Sequence, residues 1–152
     1  IFGVEIQRDV FNSFQKNIHL NNLENKIFAY NADIKEFFYE NKFDYIISNP
    51  PYYKMNSGKL PESEEILISK FEVKLNLEEL IFSIKRLLKN HGKFFIIIIS
   101  DRFNDTMKYI YSNNLSIIRV KAISHNSNTK FLLIEGQNGG TLKRSYFEIE
   151  NI

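Results

Sequence analysis

Residues 45–52 read Tyr45-Ile46-Ile47-Ser48-Asn49-Pro50-Pro51-Tyr52, a short apolar run that stops at two prolines. A run of this length closed by proline predicts a buried strand of a parallel sheet. Each proline fixes its own φ and restricts the residue before it, so Asn49 and Pro50 are both expected to be extended. A side-chain amide and a main-chain carbonyl are thereby aimed in a fixed direction beside the ring of Tyr52. Such a corner suits a planar group that carries an amine.

Working outward, strands and helices alternate. Upstream, Ile1 to Glu5 reads as the end of a strand. Arg8 to about Leu20 carries Val10, Phe11, Phe14 and Ile18 at near-helical spacing and stops at Asn21-Asn22. Lys26 to Tyr30 predicts a second strand, with a helical turn from Asp33 through Phe38, and Phe43 to Ser48 a third strand. Downstream, a polar loop from Tyr53 to Glu62 precedes a short helix. The clearest helix follows, with Leu77, Leu80, Ile81, Ile84, Leu87 and Leu88 on one face. Asn76 and Glu79 have the spacing of a capping box, and Gly92 is expected to close this helix at C′. Phe94 to Ile99 predicts a strand buried on both faces, and Asp101 the cap of another helix. Ser116 to Ile123 and Lys130 to Glu135 predict an antiparallel pair, Gly139-Gly140 a turn, and Ser145 to Ile149 an edge strand. The sum is an α/β chain, residues 1–152 forming one domain with a mostly parallel sheet and an antiparallel C-terminal strand pair.

Composition bounds the chemistry. At 152 residues, 43% apolar and 25% charged, the chain suits a single soluble domain. A net charge of +2 leaves little long-range pull on nucleic acid, so any basic patch must be local. With no cysteine there are no disulfides, thiolate metal sites or thiol catalysis, which favours a reducing, cytoplasmic setting. No apolar stretch is long enough to span a membrane. His19, His91 and His125 are scattered, read as solvent-facing, and predict no metal site. The start at Ile1, inside a strand-like stretch, suggests that sequence precedes it.

In parallel sheets ligands gather beyond the carboxyl ends of strands. The residues found there are Glu5, Asp33 and Asn49, in that order. A carboxylate in the first position suits ribose hydroxyls, and an acid after the next strand suits an adenine amine. Each also has a plainer reading: Asp33 as the cap of the turn at Ile34 to Phe38, and Tyr52 as a ring packed over a strand end.

The ordered set resembles class I methyltransferases that use S-adenosylmethionine, in the amino-methylating branch marked by Asn-Pro-Pro-Tyr. Gly3-Val4-Glu5-Ile6-Gln7, Ser48-Asn49-Pro50-Pro51-Tyr52-Tyr53-Lys54 and the helix from Leu77 to Gly92 are similar to bacterial tRNA adenine-N6 methyltransferases acting on a valine tRNA. The resemblance implies a Rossmann-like fold and a methyl transfer to an adenine N6 in RNA, with no metal. By carry-over, Glu5 would hold the cofactor ribose and Ile6 would lie against its adenine. Asp33 would contact the adenine amine, with Ile34 alongside. Asn49 and Pro50, followed by Pro51, would bind the amine to be methylated, and Tyr52 would stack on the target base.

Two departures qualify the resemblance. The glycine-rich loop after the family's first strand is absent, since glycine occurs only at positions 3, 58, 92, 136, 139 and 140. The chain then looks like a catalytic domain incomplete at its N-terminus, lacking the first strand and helix. It is expected to bind cofactor poorly alone and to show open edges at the strands ending at Glu5 and Ser48. Where relatives carry Ala-Arg-His-Glu, this chain has Ser69-Lys70-Phe71-Glu72, so only Glu72 and a basic Lys70 remain. The loop from Tyr53 to Glu62, with Lys54, Gly58 and Lys59, is a candidate substrate gate. Lys121, Lys130, Lys143 and Arg144 are either a basic area or separate solvated charges. Release-factor glutamine methylation shares the tetrapeptide. A non-catalytic RNA-binding remnant is the other alternative. DNA adenine methylation fits less well, because 152 residues leave no target-recognition region.

Overall fold

A computed structural model describes residues 1–54, 61–125, 128–139 and 145–151. The chain divides into two units, Ile1–Phe38 and Tyr39–Ile152.

The first unit is a strand–helix–strand. Strand β1 (Phe2–Glu5) runs parallel to β2 (Phe28–Asn31), from Phe2 opposite Phe28 to Glu5 opposite Asn31, with helix α1 (Arg8–Leu20) between them. The helix buries Phe11 and Ile18, as its spacing predicts. Any side chain at Gly3 would collide with the ring of Phe14, so glycine lets the helix lie close on β1. Phe2 stacks on Tyr30 at 5.9 Å between centroids, and Tyr30 meets the buried Phe37 at 5.2 Å. Phe11, Ile18 and Phe37 are the buried apolar side chains of this unit.

The second unit holds a five-stranded sheet in the order β3-β4-β6-β5-β7. Its strands are β3 (Phe43–Ser48), β4 (Leu88–Ile99), β5 (Leu115–His125), β6 (Asn128–Asn138) and β7 (Tyr146–Asn151). Pairs β3–β4 and β5–β7 are parallel, while β6 runs antiparallel to both β4 and β5. Partners across a ladder share a face. Phe94, Ile96, Ile98, Ile117, Val120, Leu132 and Ile134 are therefore buried together, under Leu77, Leu80, Ile81 and Ile84 of α3 (Leu77–Leu87) and Ile110 of α4 (Phe103–Ser112). A shorter helix, α2 (Glu64–Lys70), precedes α3.

The alternating α/β order, the antiparallel β5–β6 pair and the edge position of β7 agree with the sequence reading. Among the described residues β1 pairs only with β2 and β3 only with β4, so the expected open edges exist. On β3, Tyr45 and Ile47 are exposed.

Three local expectations change. Helix α3 ends at Leu87, not at Gly92, and Leu88 is already extended at φ −78° and ψ 139°. The side-chain amide of Asn138 donates to the carbonyls of Leu88 and Lys89, each at 3.1 Å, satisfying chain-end acceptors that a glycine cap would otherwise serve. Lys85 in turn donates to Asn138 Oδ1 at 2.7 Å, so the helix is stopped from across the sheet. Second, Asp101 caps no helix: Ser100–Arg102 form a 3-10 turn, and α4 begins without a side-chain cap. Third, β2 starts at Phe28, two residues later than expected. The capping box is present as predicted, with Asn76 Oδ1 accepting from Glu79 N and Glu79 Oε2 from Asn76 N, both at 2.9 Å.

Candidate active site

The Asn-Pro-Pro-Tyr corner leaves β3 immediately after Ser48. Asn49 is exposed, Pro50 is buried, and Pro51 and Tyr52 are half-buried. All peptide bonds among the described residues are trans. The Tyr52 hydroxyl donates to Asn49 Oδ1, which fixes which way the amide faces. A carbonyl oxygen has two lone pairs, so Oδ1 keeps a second acceptor position. Burial pushes the Tyr52 phenol up, outweighing the opposite effect of its bond to Asn49. It therefore stays a protonated donor at neutral pH. The plainer reading of Tyr52 is partly true as well, since its ring lies 5.7 Å from Phe131 and edge-on to Tyr53 at 6.4 Å.

Behind the corner the main chain is pinned. The amides of Tyr52 and Tyr53 both donate to Lys70 O at 3.0 Å, and the Glu72 amide donates to Tyr53 O at 2.9 Å. Tyr53 and Phe71 thus form a short parallel bridge. Glu72 does not face solvent. Its carboxylate pairs with Arg102 Nη1 at 2.8 Å and accepts from Leu77 N at 3.1 Å. Arg102 also lies 3.3 Å from Asp105, and Asp105 pairs with Lys54 at 3.0 Å. The hydrogen bond from Lys54, then the nearby guanidinium, holds the Asp105 carboxyl below its ordinary range against the effect of its partial burial.

Glu5 and Asp33 belong to the first unit and are half-buried. Glu5 Oε1 accepts from Gln7 N at 2.7 Å, which orients the carboxylate at the end of β1. Its other oxygen has no hydrogen-bond partner among the described residues. Asp33 does cap the following turn: Oδ1 accepts from Lys35 N at 2.9 Å, Oδ2 lies 3.4 Å from Lys35 Nζ, and the Asp33 carbonyl takes the amides of Glu36 and Phe37. Ile6 is exposed and Ile34 half-buried. Glu5 thus fits a ribose diol directly. Asp33 fits an amine only by sharing oxygens already engaged.

His19 is exposed beside Glu24, and His91 is exposed beside Gln137. Lys121 pairs with Glu150, and Lys130 lies over the Phe131 ring, so these two act separately. Residues 55–60, which include most of the candidate gate, and Lys143 and Arg144 lie outside the described residues. Sequence reasoning missed Arg102, Asp105 and Phe131.

Comparisons with known proteins bear on the fold. The family profile described as TRM5/TYW2 methyltransferase domain matches residues 1–57. A tRNA1(Val) (adenine(37)-N6)-methyltransferase of Dyadobacter fermentans is 33% identical over 64% of this chain and 40% of its own length. Its counterpart from Flavobacterium psychrophilum is 25% identical over 99% of this chain and 65% of its own. The chain therefore spans about half the length of the curated relatives it matches. A Listeria monocytogenes structure described as a class I S-adenosylmethionine-dependent methyltransferase superposes with a TM-score of 0.67 at 16% identity, covering 99% of this chain and 49% of that one. The fold is that of class I methyltransferases.

Proposed function

We propose that this chain, a class I methyltransferase by fold, carries the residues that transfer a methyl group from S-adenosylmethionine to the exocyclic N6 amine of an adenine in RNA, with tRNA as the substrate class. The observation that carries the reading is Asn49: exposed directly past β3, followed by a buried proline and held by the Tyr52 hydroxyl, which orients its amide oxygen. The names of the curated relatives support the same substrate.

An adenine amine is a poor nucleophile because its lone pair is delocalised into the ring. Asn49 Oδ1 and the Pro50 carbonyl would accept hydrogen bonds from its two N–H groups, which favours a pyramidal nitrogen with the lone pair freed toward the donor. As the N–C bond forms the S–CH3 bond breaks, and the demethylated thioether and one proton, passed to solvent, leave. S-adenosylmethionine, when bound, supplies an electrophilic methyl group on a sulfonium. Glu5 would hold its ribose, and Asp33, with Ile6 and Ile34, its adenine. The protein's share of the rate is positioning. Stacking on Tyr52, with Phe131 beside it, holds the base once it has left its own stack, which single-stranded RNA loops make easy. Such an enzyme works in the cytoplasm, where tRNA is modified, and a fold without cysteine suits that setting.

The test is labelled methyl transfer by the intact protein to a valine tRNA transcript, followed by nucleoside digestion. N6-methyladenosine is the expected product. Label appearing instead on a glutamine-containing release-factor peptide, with none in RNA, would overturn the proposal.

A further inference from the structure

We propose that Arg102 is the positioning residue of the Asn-Pro-Pro-Tyr corner, a role that for catalysis rests on the methyl-transfer reading above. Arg102 stands in the turn after β4, 9% exposed, and reaches the main chain of the corner at Tyr52. Its Nη1 lies 2.8 Å from Glu72 Oε1 and donates, more weakly, to the Tyr52 carbonyl at 3.4 Å. Its Nε approaches Asp105 at 3.3 Å without making a hydrogen bond. Asp105 is also held by Lys54, two residues past Tyr52.

The network joins two cations, Arg102 and Lys54, to two carboxylates, Glu72 and Asp105. A buried arginine needs such partners, because a lone charge there is costly. Yet buried ion pairs are poor stabilisers: apolar residues of similar volume often serve as well or better. Stability alone therefore gives a weak reason for this arrangement. What the network fixes is the main chain beyond Pro51. The Tyr52 carbonyl faces Arg102, the Tyr52 and Tyr53 amides face Lys70 O, and the Tyr53 carbonyl faces the Glu72 amide. Segment 70–72 is thus the splint for the corner, and Arg102 is what holds Glu72 of that splint in place. The guanidinium places Nη1 between Glu72 and the Tyr52 carbonyl while Nε stays beside Asp105, a rigid spacing of two nitrogens that a single ammonium does not reproduce. Lysine keeps the charge but not the fork.

The inference also gives Glu72 a role. Its carboxylate faces inward, between Arg102 and the Leu77 amide, and serves the corner.

The test compares Arg102→Lys, Arg102→Met and Glu72→Gln in the intact protein by three readouts: hydrogen exchange of the Tyr52 and Tyr53 amides, thermal midpoint, and kcat with cofactor Kd. In Arg102→Lys the two amides are expected to exchange at least about tenfold faster while the midpoint stays within about 2 °C. kcat should fall about 10- to 100-fold, the loss expected of a misplaced reacting group, with cofactor Kd within about twofold. Arg102→Met should show the same kcat loss whatever its midpoint does. Glu72→Gln, which still offers an acceptor to Arg102, should keep most of the protection. Unchanged exchange at Tyr52 and Tyr53 in both arginine variants would overturn the inference, as would a wild-type kcat in Arg102→Lys. The exchange readout does not need turnover. A wild-type protein that methylates no RNA would sink the functional reading, while the exchange result would still decide whether Arg102 holds the corner.

Discussion

Tyr52 separates the contribution of a ring from that of a hydroxyl. In the structure the ring is half-buried against Phe131, and the hydroxyl orients Asn49. Tyr52→Phe removes one hydrogen bond between partly solvated groups, a net loss of about 0.5–1.5 kcal/mol. That sets the ceiling on its effect at about tenfold in kcat/KM. Tyr52→Ala removes the stacking platform, and base-on-aromatic stacking is worth about 1–3 kcal/mol. At 1.4 kcal/mol per decade, KM for RNA should rise about 5- to 150-fold. Initial rates of labelled methyl transfer across a range of tRNA concentrations measure both variants, with cofactor held saturating. The Ala variant is expected to lose most of its efficiency through KM, and the Phe variant little. If Phe proved as damaging as Ala, the hydroxyl and not the ring would be the working group. An unchanged KM in Tyr52→Ala would remove the base from this ring altogether.

Two further outcomes test the scaffold. A Cβ at Gly136 would overlap the ring of the fully buried Phe94 and come within 2.8 Å of the Ser116 carbonyl. Gly136→Ala should therefore destabilise by about 1–3 kcal/mol in denaturant unfolding, and a loss under about 0.5 kcal/mol would contradict the packing described. Burial raises the Glu135 carboxyl, but hydrogen bonds from Lys93 at 3.0 Å and Arg119 at 2.8 Å outweigh it and hold the group below its ordinary range. A depressed carboxyl contributes stability above the unfolded glutamate value of about 4.3 and loses it as pH falls through the folded value. Glu135→Gln should accordingly flatten the acid limb of a stability–pH curve. Equal slopes in wild type and variant would count against the pairing.

Much of the architecture was legible in the sequence because its signals are local. The period of Phe11, Phe14 and Ile18, the capping box at Asn76 and the proline stop after Ser48 each act within a few residues. Where the reading failed, a distant group decided. Helix α3 stops because Asn138, on another strand, takes the carbonyls that Gly92 was expected to serve. At the site, Glu5 and Asn49 stand at strand ends as the strand-end rule predicts, and Asp33 caps the turn that follows its strand. The same rule, carried to the end of β4, would have reached Ser100-Asp101-Arg102. It did not single out Arg102 because the partners that give this residue meaning, Glu72 and the Tyr52 carbonyl, are 30 and 50 positions away. Phe131 was hidden for a similar reason: within β6 it reads as one more apolar strand residue.

Asn49→Ala puts the central claim at greatest risk. The variant removes one of two acceptors for the target amine and leaves Glu5 and Asp33 intact. Single-turnover methyl transfer to tRNA should fall at least about 100-fold, by analogy with losing one preorganised hydrogen-bonding group at a reacting centre. Cofactor Kd, measured by calorimetry on the same protein, should change by less than about threefold. A variant that transfers methyl groups at the wild-type rate, or that loses cofactor binding while its chemical step is intact, would contradict the role given to Asn49.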